Sequence, residues 1–281
     1  MRSLGAAQLA SGKDHAQENF PVASWLVRAD CRAPIMAFYR FARASDDIAD
    51  HETASAEEKL HLLAEMRSGL TGQGTAEAMA LGEVMRARGL DMANPLDLLD
   101  AFLRDCTINR YADWAGLIGY CRLSAMPVGR FVLDVHGEDR ATWPLSDALC
   151  AALQVINHLQ DCGKDYRALD RVYIPTDLLD AAGVPISALG EAKSSPALRQ
   201  VIVGLAQQTK DLLADATPFA STIRDFRLSA EVALIHHLAS DLVELLLHRD
   251  PLSERVHHGK WQSAGLAIEG LLRHGWRRMM M

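Results

Sequence analysis

The chain has 281 residues, 49% hydrophobic and 23% charged, and its 29 basic and 36 acidic side chains leave a net charge of −7. Such proportions exclude a disordered chain, and no apolar run approaches the ~20 residues of a membrane-crossing helix. The acidic balance argues against a broad nucleic-acid-binding face.

The N-terminus has no apolar core of the kind a signal peptide carries. Cysteines at 31, 106, 121, 150 and 162 are odd in number and lack C-x-x-C spacing. They predict reduced thiols in a cytoplasmic protein rather than a disulfide framework or a zinc site.

Residues 1–13 read as a flexible tail, and 14–281 as one all-α domain. Pro34 is expected to open the first helix, IMAFYRFARASDDIAD. Ser55-x-x-Glu58 is a capping box for the second, ending near Ser68-Gly69. Asn94-Pro95 reads as N-cap and first turn of a helix to about Arg110. Asp113 caps another that runs towards Gly137. Pro144 and Ser146 start one that reaches at least Asp161. The same period returns at about 195–216 and 228–248. Alternating strand patterns stop at about four residues, and TGQGT, VYIPTD and AAGVP mark loops. The expectation is a helical bundle able to hold a deep apolar channel.

Two acidic clusters carry the chemistry. Asp46, Asp47 and Asp50 form D-D-x-x-D. Residues i and i+4 of a helix lie about 40° and about 6 Å apart, so Asp46 and Asp50 point the same way, while Asp47 is about 100° round from Asp46. Stacked carboxylates near a helix C-terminus are locally costly, which hints at a cation. Taken alone, this cluster reads as a solvated acidic face.

The second cluster changes the weighing. Gln154, Asn157, Asp161 and Asp165 stand at i, i+3, i+7 and i+11, a polar stripe on a helix otherwise lined by Leu149, Ala152, Leu153, Val155, Ile156 and Leu159. A buried stripe of this kind needs partners. Arg122, Arg130 or Arg171 could supply them. So could a hard divalent cation, and carboxylate and amide oxygens favour Mg²⁺, which keeps waters and takes substrate phosphates.

The motifs DDIAD (46–50) and NHLQDCGKD (157–165), about 110 residues apart, resemble the two acidic motifs of the squalene/phytoene synthase family. ENFPVASWL (18–26), AFYRFARASDDIADH (37–51), YCRLSAMPVGR (120–130) and DRVYIPTDLL (170–179) extend the resemblance. It implies a single-domain isoprenoid-synthase helical bundle with a central substrate channel. ENFPVAS and S-A-x-P-V-G-R are most similar to the hydroxysqualene-forming branch of bacterial hopanoid biosynthesis. Condensing members usually show Y-C-x-x-V-A-G-x-V-G, and the V-A-G core is absent here.

The resemblance implies that presqualene diphosphate loses diphosphate and that water captures the rearranged cation. Asp46, Asp47, Asp50, Asn157, Asp161 and Asp165 would hold Mg²⁺. Tyr39 and Arg43, which share a helix face with Asp46 and Asp50, would bind diphosphate. Arg171 and Tyr173 would close over it, Gln154 and Tyr120 would sit near diphosphate and cation, and Phe20 would line the entrance or the prenyl pocket. Tyr120 and Arg43 would be catalytic. With no G-x-G-x-x-G present, no NADPH is expected.

Small and apolar residues near the stripe, namely Ala125, Met126, Val128, Val132, Leu153 and Ile156, would line the tunnel. Two alternatives stand beside this reading. One is head-to-head condensation of two farnesyl diphosphates; the other is a non-catalytic helical assembly factor. The partner expected is a prenyl diphosphate substrate, with functional coupling to other squalene-pathway enzymes and no nucleic acid. GLAIEGLLRHGWRRMMM at the C-terminus could form a basic amphipathic helix on the inner membrane, ranked behind a frayed tail.

Overall fold

The computed structural model describes residues 26–51 and 53–259, and among these there is no β-strand. Phe20, the 1–13 tail and the basic C-terminal segment lie outside the described residues. An isolated parallel bridge joins Arg110 to Val172. Two compact units are formed, one of residues up to Ile108 together with Pro127–Arg140, the other of Asn109–Met126 together with residues from Ala141 on.

The first unit contains α1 (Ala29–Ala49), α2 (Ala56–Gly69), α3 (Ala76–Arg88), α4 (Ala93–Asp105) and nearly all of α6 (Met126–His136). Phe41, Ile48, Met66, Leu81 and Leu99 are fully buried at its centre. Phe131 of α6 stacks on Phe38 of α1 with ring centroids 4.2 Å apart. The capping box of α2 forms as its sequence dictates: Glu58 N donates to Ser55 Oγ at 3.2 Å, and Ser55 N donates to Glu58 Oε2 at 2.9 Å.

Helix α1 begins at Ala29, so Pro34 lies inside it rather than at its start. A proline there has no N–H for the carbonyl four residues back, and the guanidinium of Arg88 donates to that carbonyl, Asp30 O. Helix α4 likewise starts before Asn94: the Asp91 carboxylate accepts from Ala93 N at 3.0 Å, and Pro95 still falls in the first turn, where its missing N–H costs nothing.

The second unit contains α5 (Trp114–Ser124), α7 (Trp143–Leu169), α8 (Thr176–Ala181), α9 (Pro196–Asp215), α10 (Phe219–Thr222) and α11 (Phe226–His248). Asp113 caps α5, accepting from Gly116 N at 2.7 Å. The helix expected from there to Gly137 is interrupted at Ala125 and resumes as α6. Pro127 explains the break, because it cannot donate to the carbonyl of Leu123. Gly137, at φ 71°, ends α6 in the left-handed region open to glycine.

Helices α7, α9 and α11 pack on one another. Leu149, Ala152, Val155, Ile156 and Leu159 form the buried face of α7. Each large apolar side chain so buried contributes ~1.5–3 kcal/mol of transfer free energy. Gly163 extends that face: a Cβ there would stand 2.6 Å from Leu252 Cδ2 and 3.2 Å from Leu189 O, so a larger residue would have to displace both. The polar stripe is half-buried rather than buried, since Gln154, Asn157, Asp161 and Asp165 all keep accessible surface. Val128, expected in the tunnel lining, is exposed, whereas Ile156 is fully buried in the core.

Asp250 fastens the loop after α11. Its buried carboxylate accepts from Ser194 Oγ at 2.6 Å, Ser194 N at 2.9 Å, Ser253 Oγ at 2.9 Å and Leu252 N at 3.1 Å. Burial pushes the carboxyl up, but these hydrogen bonds together outweigh it and hold the group below its ordinary value. Its stabilising contribution is therefore present above the ordinary aspartate range and is lost as pH falls through it. Asp250→Ala should cost about 2–4 kcal/mol in urea unfolding at pH 7. The gap to the wild-type protein should narrow when the titration is repeated below about pH 4.

Candidate active site

The last turns of α1 hold the first cluster. Arg43 reaches Asp46 at 2.9 Å and Asp47 at 2.5 Å, three and four residues further along the helix. Asp47 is buried, with 7% of its side chain exposed, and the Arg43 guanidinium is its close partner. Tyr39, Arg43, Asp46 and Asp50 all keep partial exposure along one face of α1, as their spacing predicts.

The Asp46 carboxyl is pushed up to about 7, by burial first and then by the negative charge of Asp50. Arg43 opposes the shift, and Asp47 and Asp105 add to it. The side chain retains 34% of its surface, so the crowding of negative charge is the firmer part of the effect. Asp105, at the end of α4, is a member of this cluster that no local spacing announces; only the packing of α4 against α1 brings it near.

Helix α7 holds the second cluster. Asp161 is 40% exposed, and Lys164 stands 3.9 Å from it. Asp165 closes the helix through its backbone, where its carbonyl accepts from Arg171 N at 3.2 Å. Asp170 adopts φ 50° at the helix end. The Arg110 guanidinium binds both its carboxylate and its carbonyl, and Val172 N donates to Asn109 O at 2.9 Å. This clamp reverses the chain so that Arg171 and Tyr173, both buried, run back along α7.

The reversal builds an aromatic stack inside the second unit. Tyr173 lies on His158 with centroids 3.4 Å apart and planes at 14°, and Tyr111 stacks on Tyr173 at 5.7 Å. Tyr120 leans on both, 5.5 Å from Tyr173 and 5.9 Å from His158. Tyr120, which the resemblance puts near diphosphate and cation, and Tyr173, which it has closing over the diphosphate, are thus neighbours in one buried cluster. His158 and Tyr111 join them without a sequence signal, since a lone histidine on an apolar helix reads as packing. Burial, aided by the charge of Arg171, pushes the His158 imidazole down to about 3 and keeps it neutral. Gln154 Nε2 lies 3.1 Å from His158 Nε2.

Among the described residues, no three His, Cys, Asp or Glu side chains stand close enough together to hold a metal ion by themselves. The donor set nevertheless fits Mg²⁺ in kind. It offers oxygen donors, and in the first cluster burial and then the negative charge of Asp50 push the Asp46 carboxyl up to about 7. A divalent cation relieves that crowding, and Mg²⁺ completes its shell with water and phosphate oxygens.

Comparison with known proteins follows the same line. The family model "Squalene/phytoene synthase" matches residues 13–262. A hydroxysqualene synthase of Zymomonas mobilis is 53% identical over 94% of this chain and 91% of its own length. One from Rhodopseudomonas palustris is 54% identical over 90% of this chain and 87% of its own. The crystal structure of squalene synthase HpnC from Alicyclobacillus acidocaldarius superposes with a TM-score of 0.72 at 29% identity, covering 86% of this chain and 91% of that one.

Arg43→Leu would take from the buried Asp47 carboxylate its close guanidinium partner and remove a cation that opposes the Asp46 shift. The expected loss is ~3 kcal/mol of unfolding free energy, read by denaturant titration, with Arg43→Lys recovering part of it. An Arg43→Leu protein as stable as the wild type would show that Asp47 does not depend on this pair.

Proposed function

Since the chain belongs to the squalene/phytoene synthase family, whose members act on prenyl diphosphates, we propose that it converts presqualene diphosphate and water to hydroxysqualene and diphosphate. The observation that carries this reading is the 53–54% identity, over nine-tenths of the chain, to proteins of that activity. The two acidic helix faces agree with it chemically.

In the reaction, the carbon–oxygen bond to diphosphate breaks and the electron pair leaves with the phosphate. The cation rearranges, and a lone pair of water closes it. The leaving charge must be stabilised as it develops, and Mg²⁺, when bound, supplies several kcal/mol of that stabilisation. Asp46, Asp50, Asn157, Asp161 and Asp165 are the proposed metal ligands. Asp47 belongs to the same motif and serves mainly as the anchor of Arg43. Arg43 and Arg171 offer guanidinium donors to phosphate oxygens, and Tyr39 offers a hydroxyl. The faces of Tyr120 and Tyr173 present π-density to a cation. Water replaces hydride as the terminal nucleophile, so no NADPH is required.

The substrate must come from an enzyme that condenses two farnesyl diphosphates, which is the basis for coupling to the hopanoid and squalene route. No helix among the described residues is long and apolar enough to cross a membrane. We place the protein in the cytoplasm, with the basic segment 270–281 as a peripheral contact to the inner membrane. Deleting 270–281 should abolish sedimentation with anionic liposomes; unchanged sedimentation would remove that contact from the proposal.

The deciding assay is product analysis by mass spectrometry with Mg²⁺ and without NADPH, presqualene diphosphate and farnesyl diphosphate being supplied separately. Hydroxysqualene should form from presqualene diphosphate alone, and Asp161→Ala should lower the rate at least ~10²-fold. A product from farnesyl diphosphate alone would move the protein to the condensing class. Inactivity towards both would favour an assembly role.

A further inference from the structure

His158 has no part in the reading above, yet its ring contacts the carboxamide of Gln154. The imidazole is buried, 7% exposed, and held from one side by the Tyr173 ring at 3.4 Å. Tyr120 limits it from another direction at 5.9 Å. So fixed, its Nε2 lies 3.1 Å from Gln154 Nε2. An amide nitrogen only donates. The ring nitrogen therefore accepts, and the imidazole proton resides on Nδ1. With one N–H of the carboxamide donated to His158, Oε1 is held at the other end of that group, on the helix that also carries the half-buried Asn157 and Asp161.

An acceptor at that position has a chemical use. Water attacks a cation through a lone pair, so its hydrogens must be held by acceptors. A carbonyl oxygen receives one of those hydrogens and leaves the lone pairs free. An NH₂ group in the same place would bind the lone pair and turn the nucleophile the wrong way. We propose that His158 is the positioning residue that orients the Gln154 carboxamide so that its Oε1 holds the water that captures the cation.

The step balances without a further reagent. The water oxygen's lone pair forms the new C–O bond, and the proton lost from the resulting oxonium leaves with the diphosphate already released. Gln154 accepts a hydrogen bond throughout and takes no proton. The inference rests on the hydroxysqualene-forming reading and adds to it the residue pair that admits water.

The test measures hydroxysqualene formed per diphosphate released, with presqualene diphosphate and Mg²⁺. Loss of fold or of metal binding lowers both quantities together and leaves the ratio unchanged, whereas a misplaced water lowers the ratio. His158→Phe keeps an aromatic ring against Tyr173 but has no acceptor. Its ratio should fall at least ~5-fold, the balance appearing as hydrocarbons formed by proton loss. His158→Gln, which restores an acceptor near the same reach, should recover most of the ratio. Should His158→Phe fail to fold, Gln154→Leu removes the carbonyl itself and should give the same fall. An unchanged ratio in whichever of these variants folds overturns the inference, as does a ratio that His158→Gln fails to recover. Wild-type protein that forms no hydroxysqualene overturns the underlying reading, and the inference with it. Wild-type protein that forms it while the variants keep its ratio overturns the inference alone.

Discussion

Like charge crowded onto a helix face is the constraint from which the rest of the first unit follows. Asp46, Asp47 and Asp50 stand within two turns at the C-terminal end of α1, where the helix dipole already disfavours anions. Asp105 of α4 adds a fourth carboxylate to the field at Asp46. The Arg43 guanidinium answers this charge at close range and is itself divided between Asp46 and Asp47. Such an arrangement is poor as a device for stability. It would suit the cation and the anionic substrate proposed above.

Helix α7 solves a different problem with the same means. One face is hydrophobic and is pressed against α9 and α11, with Gly163 allowing Leu252 and the Leu189 backbone to come in close. The other face keeps Asn157, Asp161, Asp165 and the Gln154 amide partly open. The boundary between the two faces is occupied by His158, whose ring belongs to the core and whose nitrogen belongs to the polar side. Tyr173 reaches that boundary because Asp170 turns the chain back and Arg110 holds the turn.

Local chemistry was readable from the residues, and tertiary chemistry was not. The Ser55–Glu58 box and the Asp113 cap involve partners three residues apart, so sequence alone places them. Pro34 reads as a helix opener, but α1 starts five residues earlier, and the donor that satisfies the freed carbonyl, Arg88, comes from α3. The spacing of Asn157, Asp161 and Asp165 predicts a shared face correctly, but its degree of exposure depends on how the neighbouring helices pack. Asp105 and Tyr111 enter their clusters across long stretches of chain. Family resemblance supplied what spacing could not, namely a reaction in which these residues are proposed to act.

The chain passes between the two units at residues 108–109, 126–127 and 140–141. The Phe131 ring that stacks on Phe38 is therefore synthesised after α5, a helix of the other unit. On the ribosome, the first unit remains without this part of its core until residue 140 has emerged. A single proteolytic nick near residue 108 cannot release it as a finished piece either, because its last helix is threaded through the sequence of its neighbour. Expression of residues 1–108 alone would yield a fragment with the Phe38 face of α1 uncovered, and the two units must be inherited, synthesised and recombined as one length of polypeptide.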